Sequence, residues 1–313
     1  MNKFKYTDNN KRYYTLDYFY KHKFNSKVFK VSLNGGFTCP NKDGKVGTGG
    51  CIYCSKLGSG EFGGDKEKEL EVQFEEVKNI ISNKWPNSKY IGYFQANTNT
   101  YAPLEVLKEK YERVLKIDNV VGLSIATRPD AIEEDVYDYL EDLSKRTYLT
   151  IELGLQTIHK ETSILINRCH TLECFLNCVK ELRKRNINVV VHIINGLPNE
   201  TKEMMIETAK YLSKLDIQGI KIHMLQVIKD TKLADLYEKE PFHILTRDEY
   251  VDIVCDQLEY LREDIVINRI TGDPDPKDLI EPEWTLKKFV VMNEIDKLMV
   301  KRDIYQGDKC NKE

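Results

Sequence analysis

Runs of apolar and β-branched residues recur along the chain, separated by stretches in which apolar residues return every three or four positions. VFKVSL (28–33), YIGYFQ (90–95), VVGLSIA (120–126), YLTIELG (148–154), INVVVHII (187–194) and IQGIKIHML (217–225) read as strands. Helical spacing fills 66–84, 103–116, 131–143, 172–185 and 201–215, with Thr201 placed to cap the last of these. Strands alternating with helices imply right-handed crossovers and an α/β fold built on a parallel sheet. Periodicity leaves open whether that sheet is an open one or a complete or partial barrel. Beyond 245 the alternation weakens into a helix (246–262), a short strand (264–270), the polar loop TGDPDPKDLIEPEW and a final helix (284–302). The pattern divides the chain into an N-terminal arm (1–27), a βα core (28–245) and a C-terminal α+β extension (246–313).

Composition changes this picture little. The 313 residues suit one large α/β domain with extensions, and 41% hydrophobic with 31% charged residues suits a folded chain. A net charge of -3 gives no global signature of a nucleic-acid binder, so such a partner would need a local patch. The arm is the candidate. Lys3, Lys5, Lys11, Arg12, Lys21, Lys23 and Lys27 face only Asp8 and Asp17 there, and interleave with Tyr6, Tyr13, Tyr14, Tyr18 and Phe19. This mixture suits phosphate contact and base stacking. It suits equally an arm that packs its aromatics on the core with its lysines outward, and both readings stay open. No run approaches a membrane span, and MNKFKYTDNNKRYY lacks the apolar centre of a signal peptide, so the expected location is the cytoplasm, without a membrane partner. In a reducing compartment, cysteines are expected as thiols or metal ligands rather than disulfides.

The chemistry concentrates after the first strand. LNGGFTCPNKDGKVGTGGCIYC places Cys39, Cys51 and Cys54 in the first βα loop, spaced C-x11-C-x2-C. Three thiolates can hold three irons of a 4Fe-4S cube and leave the fourth open, as a catalytic metal requires. S-adenosylmethionine (SAM) can chelate an open iron through its amino nitrogen and carboxylate, which sets its sulfonium for one-electron reduction. Zinc is the alternative, since C-x2-C is also a zinc half-site, although no fourth ligand falls at knuckle spacing. Gly44, Gly47, Gly49 and Gly50 allow the loop positive-φ turns, and Tyr53 is a candidate shield for the cluster. Cys174 and Cys178 share a helical face beside Phe175, Val179 and Leu182 and read as buried thiols; Cys169 lies close by in sequence, and no second cluster is expected. Cys255 and Cys310 stand isolated.

NGGFTCPN, GCIYC, YFQANTNTY, ATRPD, ELGLQT, NRCHT, INGLPNET and KIHMLQVIKDTKLA together resemble the radical SAM superfamily, and within it the YhcC/YtqA-like proteins, relatives of the Elongator catalytic subunit. The resemblance implies a partial (β/α)6 TIM-like barrel, one 4Fe-4S cluster on Cys39, Cys51 and Cys54, and cleavage of SAM to a 5'-deoxyadenosyl radical. It also implies SAM contacts at successive strand ends. These are Gln95, Asn97, Thr98 and Thr100 after the second strand, Glu152 and Gln156 on the fourth, Arg168, and Asn195 after the fifth. A guanidinium fork such as that of Arg168 suits the SAM carboxylate. Glu152 as a buried paired carboxylate and Arg168 as a structural ion pair stay open beside these roles. Thr127, Arg128 and Asp130 either meet SAM or substrate or shape a turn, and His223 either reaches the barrel lumen or sits in the core. His192 occupies a position where related enzymes carry an acid.

For substrate, the kinship implies tRNA, with conversion of a carboxymethylaminomethyl to an aminomethyl group on C5 of the wobble uridine, served by an electron donor such as flavodoxin or ferredoxin. The Elongator reaction itself is not expected, since the sequence carries no acetyltransferase segment. Two alternatives stand beside this reading. One is a small-molecule enzyme of the porphyrinogen type, against which the wide cysteine spacing argues; the other is a non-catalytic iron-sulfur or zinc module.

Overall fold

In the computed structural model, which describes residues 3–58, 60 and 63–310, the predicted strands form with small shifts at their ends. They are β1 (Val28–Leu33), β2 (Lys89–Phe94), β3 (Val120–Thr127), β4 (Tyr148–Gln156), β5 (Asn188–Asn195) and β6 (Gly219–Met224). The two-residue β7 (Val227–Ile228) follows, then β8 (Val266–Arg269) and β9 (Leu279–Glu281). Seven of them make one sheet in the order β1-β2-β3-β4-β5-β6-β8, while β7 and β9 pair antiparallel in a separate ribbon.

Helices occupy the crossovers: α1 (Leu16–Phe24) precedes β1, and α2 (Leu70–Ser82), α3 (Leu104–Leu115) and α4 (Glu134–Arg146) follow β1, β2 and β3. The short α5 (Lys160–Leu165) and α6 (Leu172–Lys184) follow β4, and α7 (Lys202–Ser213) follows β5. Then come α8 (Lys232–Lys239), α9 (Arg247–Tyr260), a 3-10 turn (Glu283–Lys287) and α10 (Lys288–Lys301). Parallel pairing follows from this connectivity: Val28 lies opposite Lys89, Gly122 opposite Tyr148, Val190 opposite Gly219 and Gly219 opposite Val266. The architecture is α/β, with the strand and helix order of a partial (β/α)6 barrel extended by one strand. Among the described residues, no helix is long and apolar enough to cross a membrane.

Two compact units form, and they do not follow the linear order of arm, core and extension. One comprises Tyr20–Gly154 and Cys169–Val189; the other takes the chain through Phe19, Leu155–Arg168, and Val190 onward. In the first, Val31, Leu33, Tyr90, Phe94, Leu123, Ile125, Ile151 and Leu153 project from one face of the strands into a core completed by Phe74, Leu107, Tyr111, Leu140 and Phe175. In the second, Val191, Ile193, Ile220 and Ile222 meet Met205, Leu212, Tyr250, Val254 and Leu258.

The beginning of the chain is built into the second unit. The Ile267 N-H donates to the Tyr14 carbonyl at 2.7 Å, the Gln306 N-H to the Arg12 carbonyl at 2.9 Å, and the Tyr14 N-H to the Gln306 side chain at 2.8 Å. Phe4 and Tyr13 are buried, and Tyr6 stacks on Tyr14 with ring centroids 4.5 Å apart. Its cations are paired as well: Lys3 with Asp303 (3.0 Å), Lys5 with Glu263 (2.5 Å), Lys11 with Asp296 (2.5 Å) and Arg12 with Asp303 (2.9 Å). Of the two readings of the arm, this part packs. Its aromatics and cations are engaged within the fold, while the side chains of Lys3 and Lys5 stay more than half exposed.

Candidate cofactor site

The loop after β1 lies within the first unit and is folded by its own backbone. Lys42 N-H donates to the Cys39 carbonyl (2.8 Å), Gly50 N-H to Asn41 (2.7 Å) and Cys54 N-H to Cys51 (3.1 Å), while Asp43 and Thr48 form an antiparallel bridge. Gly44, Gly49 and Gly50 adopt positive φ as the spacing predicts. Gly47 serves differently. A Cβ there would stand 2.2 Å from Asn41 Oδ1 and 2.8 Å from Cys169 Sγ, so the position requires glycine for close approach. Cys39, Cys51 and Cys54 are half-buried free thiols.

The electrostatics favour a thiolate. The Cys51 thiol is drawn down to about 6, chiefly by a hydrogen bond from Cys54 and with help from the Arg128 charge, Tyr53 and Asn41, against the opposing effect of burial. The Asn41 amide donates to Cys51 Sγ at 3.7 Å. Arg128, nine-tenths buried, is fixed by a fork to Asp130 at 2.9 and 2.7 Å and lies in the field of both Cys39 and Cys51. Among the described residues, no three His, Cys, Asp or Glu side chains surround one point as a single zinc ion needs. A cubane makes a different demand, since each thiolate binds its own iron. Three thiols on one glycine-rich loop, beside a held cation that stabilises their anions, fit that group.

The strand-end residues expected to touch SAM also make contacts within the fold. Asn97, at φ 60°, donates through its amide to the Phe37 carbonyl (3.1 Å), accepts from Lys42 (3.1 Å), and bonds through its backbone to Gly58. Thr98 is buried, with its N-H on the Thr38 carbonyl at 3.1 Å. The Thr100 hydroxyl bonds to that of Thr127 and donates to the Ala131 carbonyl, both at 2.6 Å. These three therefore lace the β2 loop to the cysteine loop and to the end of β3. Gln95 is half-buried at the same strand end, its backbone N-H on the Leu33 carbonyl.

Glu152 is a buried carboxylate that accepts from Lys30 and from Ser124, each at 2.5 Å, so the paired-carboxylate reading describes it. In the second unit Arg168 is 2% exposed and donates to the Leu155 and Thr157 carbonyls. Through these two bonds it pins the chain leaving β4. Asn195 is 1% exposed and exchanges two 2.8 Å hydrogen bonds with Gln257, which also binds the Met205 carbonyl. That closed amide pair fixes the side chain at the end of β5. Gln156, half-buried at φ 67°, adopts a conformation costly for a residue with a Cβ, of the kind that clusters at functional sites.

The sequence reading leaves Arg128 between a contact with SAM or substrate and a turn, and gives Cys169 no role. The signal for Arg128 was its place after β3 in ATRPD. For Cys169 nothing but NRCHT marked it; it sits at φ 67° beside Gly47, and burial raises its thiol, with Cys51, Asp130 and Cys39 acting in the same direction against Arg128. Cys178 is buried and its thiol is pushed up to about 12 by burial, which suits a packing role.

Comparison with known proteins accords with this loop. The radical SAM superfamily profile matches residues 43–212, and that of the radical SAM C-terminal domain matches 217–301. The chain is similar to the uncharacterized protein YtqA of Bacillus subtilis, at 51% identity over 98% of this chain and 95% of that one. It is similar to YhcC of Escherichia coli at 30% over 88% and 89%, and to a tRNA uridine(34) acetyltransferase of Methanocaldococcus jannaschii at 26% over 49% and 28%. Among solved structures, Elp3 of Methanocaldococcus infernus shares the fold with a TM-score of 0.66 at 18% identity, covering 90% of this chain and 64% of that one. The chain belongs to the radical SAM superfamily, whose enzymes use a 4Fe-4S cluster and SAM.

Proposed function

We propose that Cys39, Cys51 and Cys54 hold the cluster and that the enzyme acts on tRNA, trimming the carboxymethylaminomethyl group on C5 of the wobble uridine to aminomethyl. The observation that carries the cluster assignment is three free thiols on one loop turned by Gly44, Gly49 and Gly50, with the Asn41 amide donating to Cys51 Sγ and Arg128, in whose field Cys39 and Cys51 lie, fixed by Asp130. When bound, cluster and SAM together supply hydrogen-atom abstraction. This chain's residues hold the thiolates, orient the loop through Asn97 and Lys42, and fix a cation beside it. Gln95, at the end of β2 in the same unit, is the strand-end amide that we assign to SAM.

The tRNA reading is supported by similarity to an acetyltransferase named for uridine 34 and by the shared Elp3 fold. A one-electron donor such as flavodoxin or ferredoxin serves the cluster, as radical SAM chemistry needs a reductant. Nucleoside mass spectrometry of tRNA from cells with and without the gene tests the substrate. We expect carboxymethylaminomethyluridine to accumulate and aminomethyl products to disappear when the gene is absent. Identical profiles would turn the substrate reading toward a small molecule.

A further inference from the structure

The exposed face of the last helix carries chemistry that the cluster site does not use. Counting 100° per residue along α10, Phe289, Val290, Asn293, Lys297, Val300 and Lys301 fall on one side, opposite the buried Val291, Ile295 and Met299, and the 3-10 turn before it exposes Leu286. Phe289 is 70% exposed, Val300 53% and Leu286 45%, and the stripe from Phe289 to Lys301 runs about 18 Å. Large apolar side chains aligned in solvent mark a binding surface more often than chance exposure.

The charge on this face has a defined sign because its acids are neutralised from elsewhere in the same unit. Glu294 pairs with Arg247 at 2.8 Å, Asp296 with Lys11 at 2.5 Å, and Asp273 with Lys288 at 2.8 Å. Asp303, just beyond the helix, is held by Lys3 and Arg12. Lys287, Lys297 and Lys301 are exposed and make no ion pair or hydrogen bond among the described residues; Glu283 is an exposed acid at the start of the stripe, and Asp248 and Asp252, which line a groove with Lys297 and Lys301, are paired with Arg247 (3.5 Å) and with Lys202 and Arg302. Lys11 thus neutralises an acid of α10, and Lys3 and Arg12 the acid just beyond it, without engaging the lysines of the helix.

We propose that this face of the 3-10 turn and α10 is an RNA-docking surface, with Lys287, Lys297 and Lys301 on phosphates and Phe289 against a base or sugar. RNA offers both partners at once: anions for cations that a protein interface would have to bury unpaired, and a π surface for an exposed ring. The inference rests on the tRNA reading above and locates where tRNA is held.

The test uses the full chain with its cluster reconstituted, and total tRNA from cells lacking the gene as probe, titrated at several salt concentrations. The triple variant Lys287→Gln, Lys297→Gln, Lys301→Gln should bind about tenfold more weakly, and the slope of log affinity against log salt should become shallower by about 2, the loss of three phosphate contacts. Phe289→Ala should weaken binding while leaving that slope as it was. Both variants should keep the cluster absorption, the melting temperature and SAM cleavage without tRNA. Wild-type affinity and slope in the triple variant would overturn the surface and leave tRNA as substrate. A wild type that binds no tRNA would overturn the substrate reading and this surface with it. If Phe289→Glu instead halves the particle mass in light scattering, the face joins two copies of the chain and the RNA assignment is wrong.

Discussion

Lys30 and Glu152 sit on β1 and β4 with Ser124 of β3 between them, a charged pair in which the carboxylate has no exposed surface and the ammonium little. Removing one member leaves the other buried without its counter-charge, which costs about 3–5 kcal/mol. We expect Lys30→Met to lower the melting temperature by several degrees, and Lys30→Met with Glu152→Leu to recover much of the loss; equal melting of the single and double variants would contradict the pairing. Glu200 poses the opposite problem. Its carboxyl is raised by burial, against Thr157, His159 and Thr162, so the folded state holds its proton more tightly than the unfolded chain does. Stability from this group therefore falls as pH rises from about 4.3 through the raised value, then levels. Glu200→Gln should gain stability relative to wild type as pH goes from 4 to 7.5, read as a widening difference between the two melting temperatures; a difference constant with pH would remove burial as the cause.

At the scale of elements, the loop after β2 ties the cysteine loop to the end of β3 through Asn97 and Thr100. Thr100→Val strips the Ala131 carbonyl and the Thr127 hydroxyl of a buried partner, a cost of about 1–3 kcal/mol. We expect lowered stability and slower cluster reconstitution, measured by visible absorption, with the three cysteines intact; unchanged reconstitution would show that the two loops are not coupled. This element also shows what the sequence makes legible. Strand positions were readable because alternation such as YLTIELG has one solution, with Leu149, Ile151 and Leu153 buried on one side. The cysteine spacing was readable because few chemistries need it. The direction of side chains past a strand end was not, since the period of two stops there and partners such as Gln257 for Asn195 lie 62 residues away. The helices α1, α5 and α8 were missed for a related reason: they are short, and packing rather than a long apolar stripe holds them.

Across the whole molecule, the chemistry of the radical SAM superfamily meets one proposed class of substrate, tRNA. An enzyme whose cluster and SAM serve tRNA should cleave SAM productively when the right tRNA is bound. The direct measurement is 5'-deoxyadenosine formed by the anaerobically reconstituted, reduced protein, quantified with tRNA from cells lacking the gene, with fully modified tRNA, and with none. We predict that the first tRNA stimulates deoxyadenosine formation and is converted in step with it, that the other two give only a slow background, and that Cys51→Ser abolishes formation in every case. Deoxyadenosine released at the same rate with or without the precursor tRNA, or persisting in Cys51→Ser, would contradict the account.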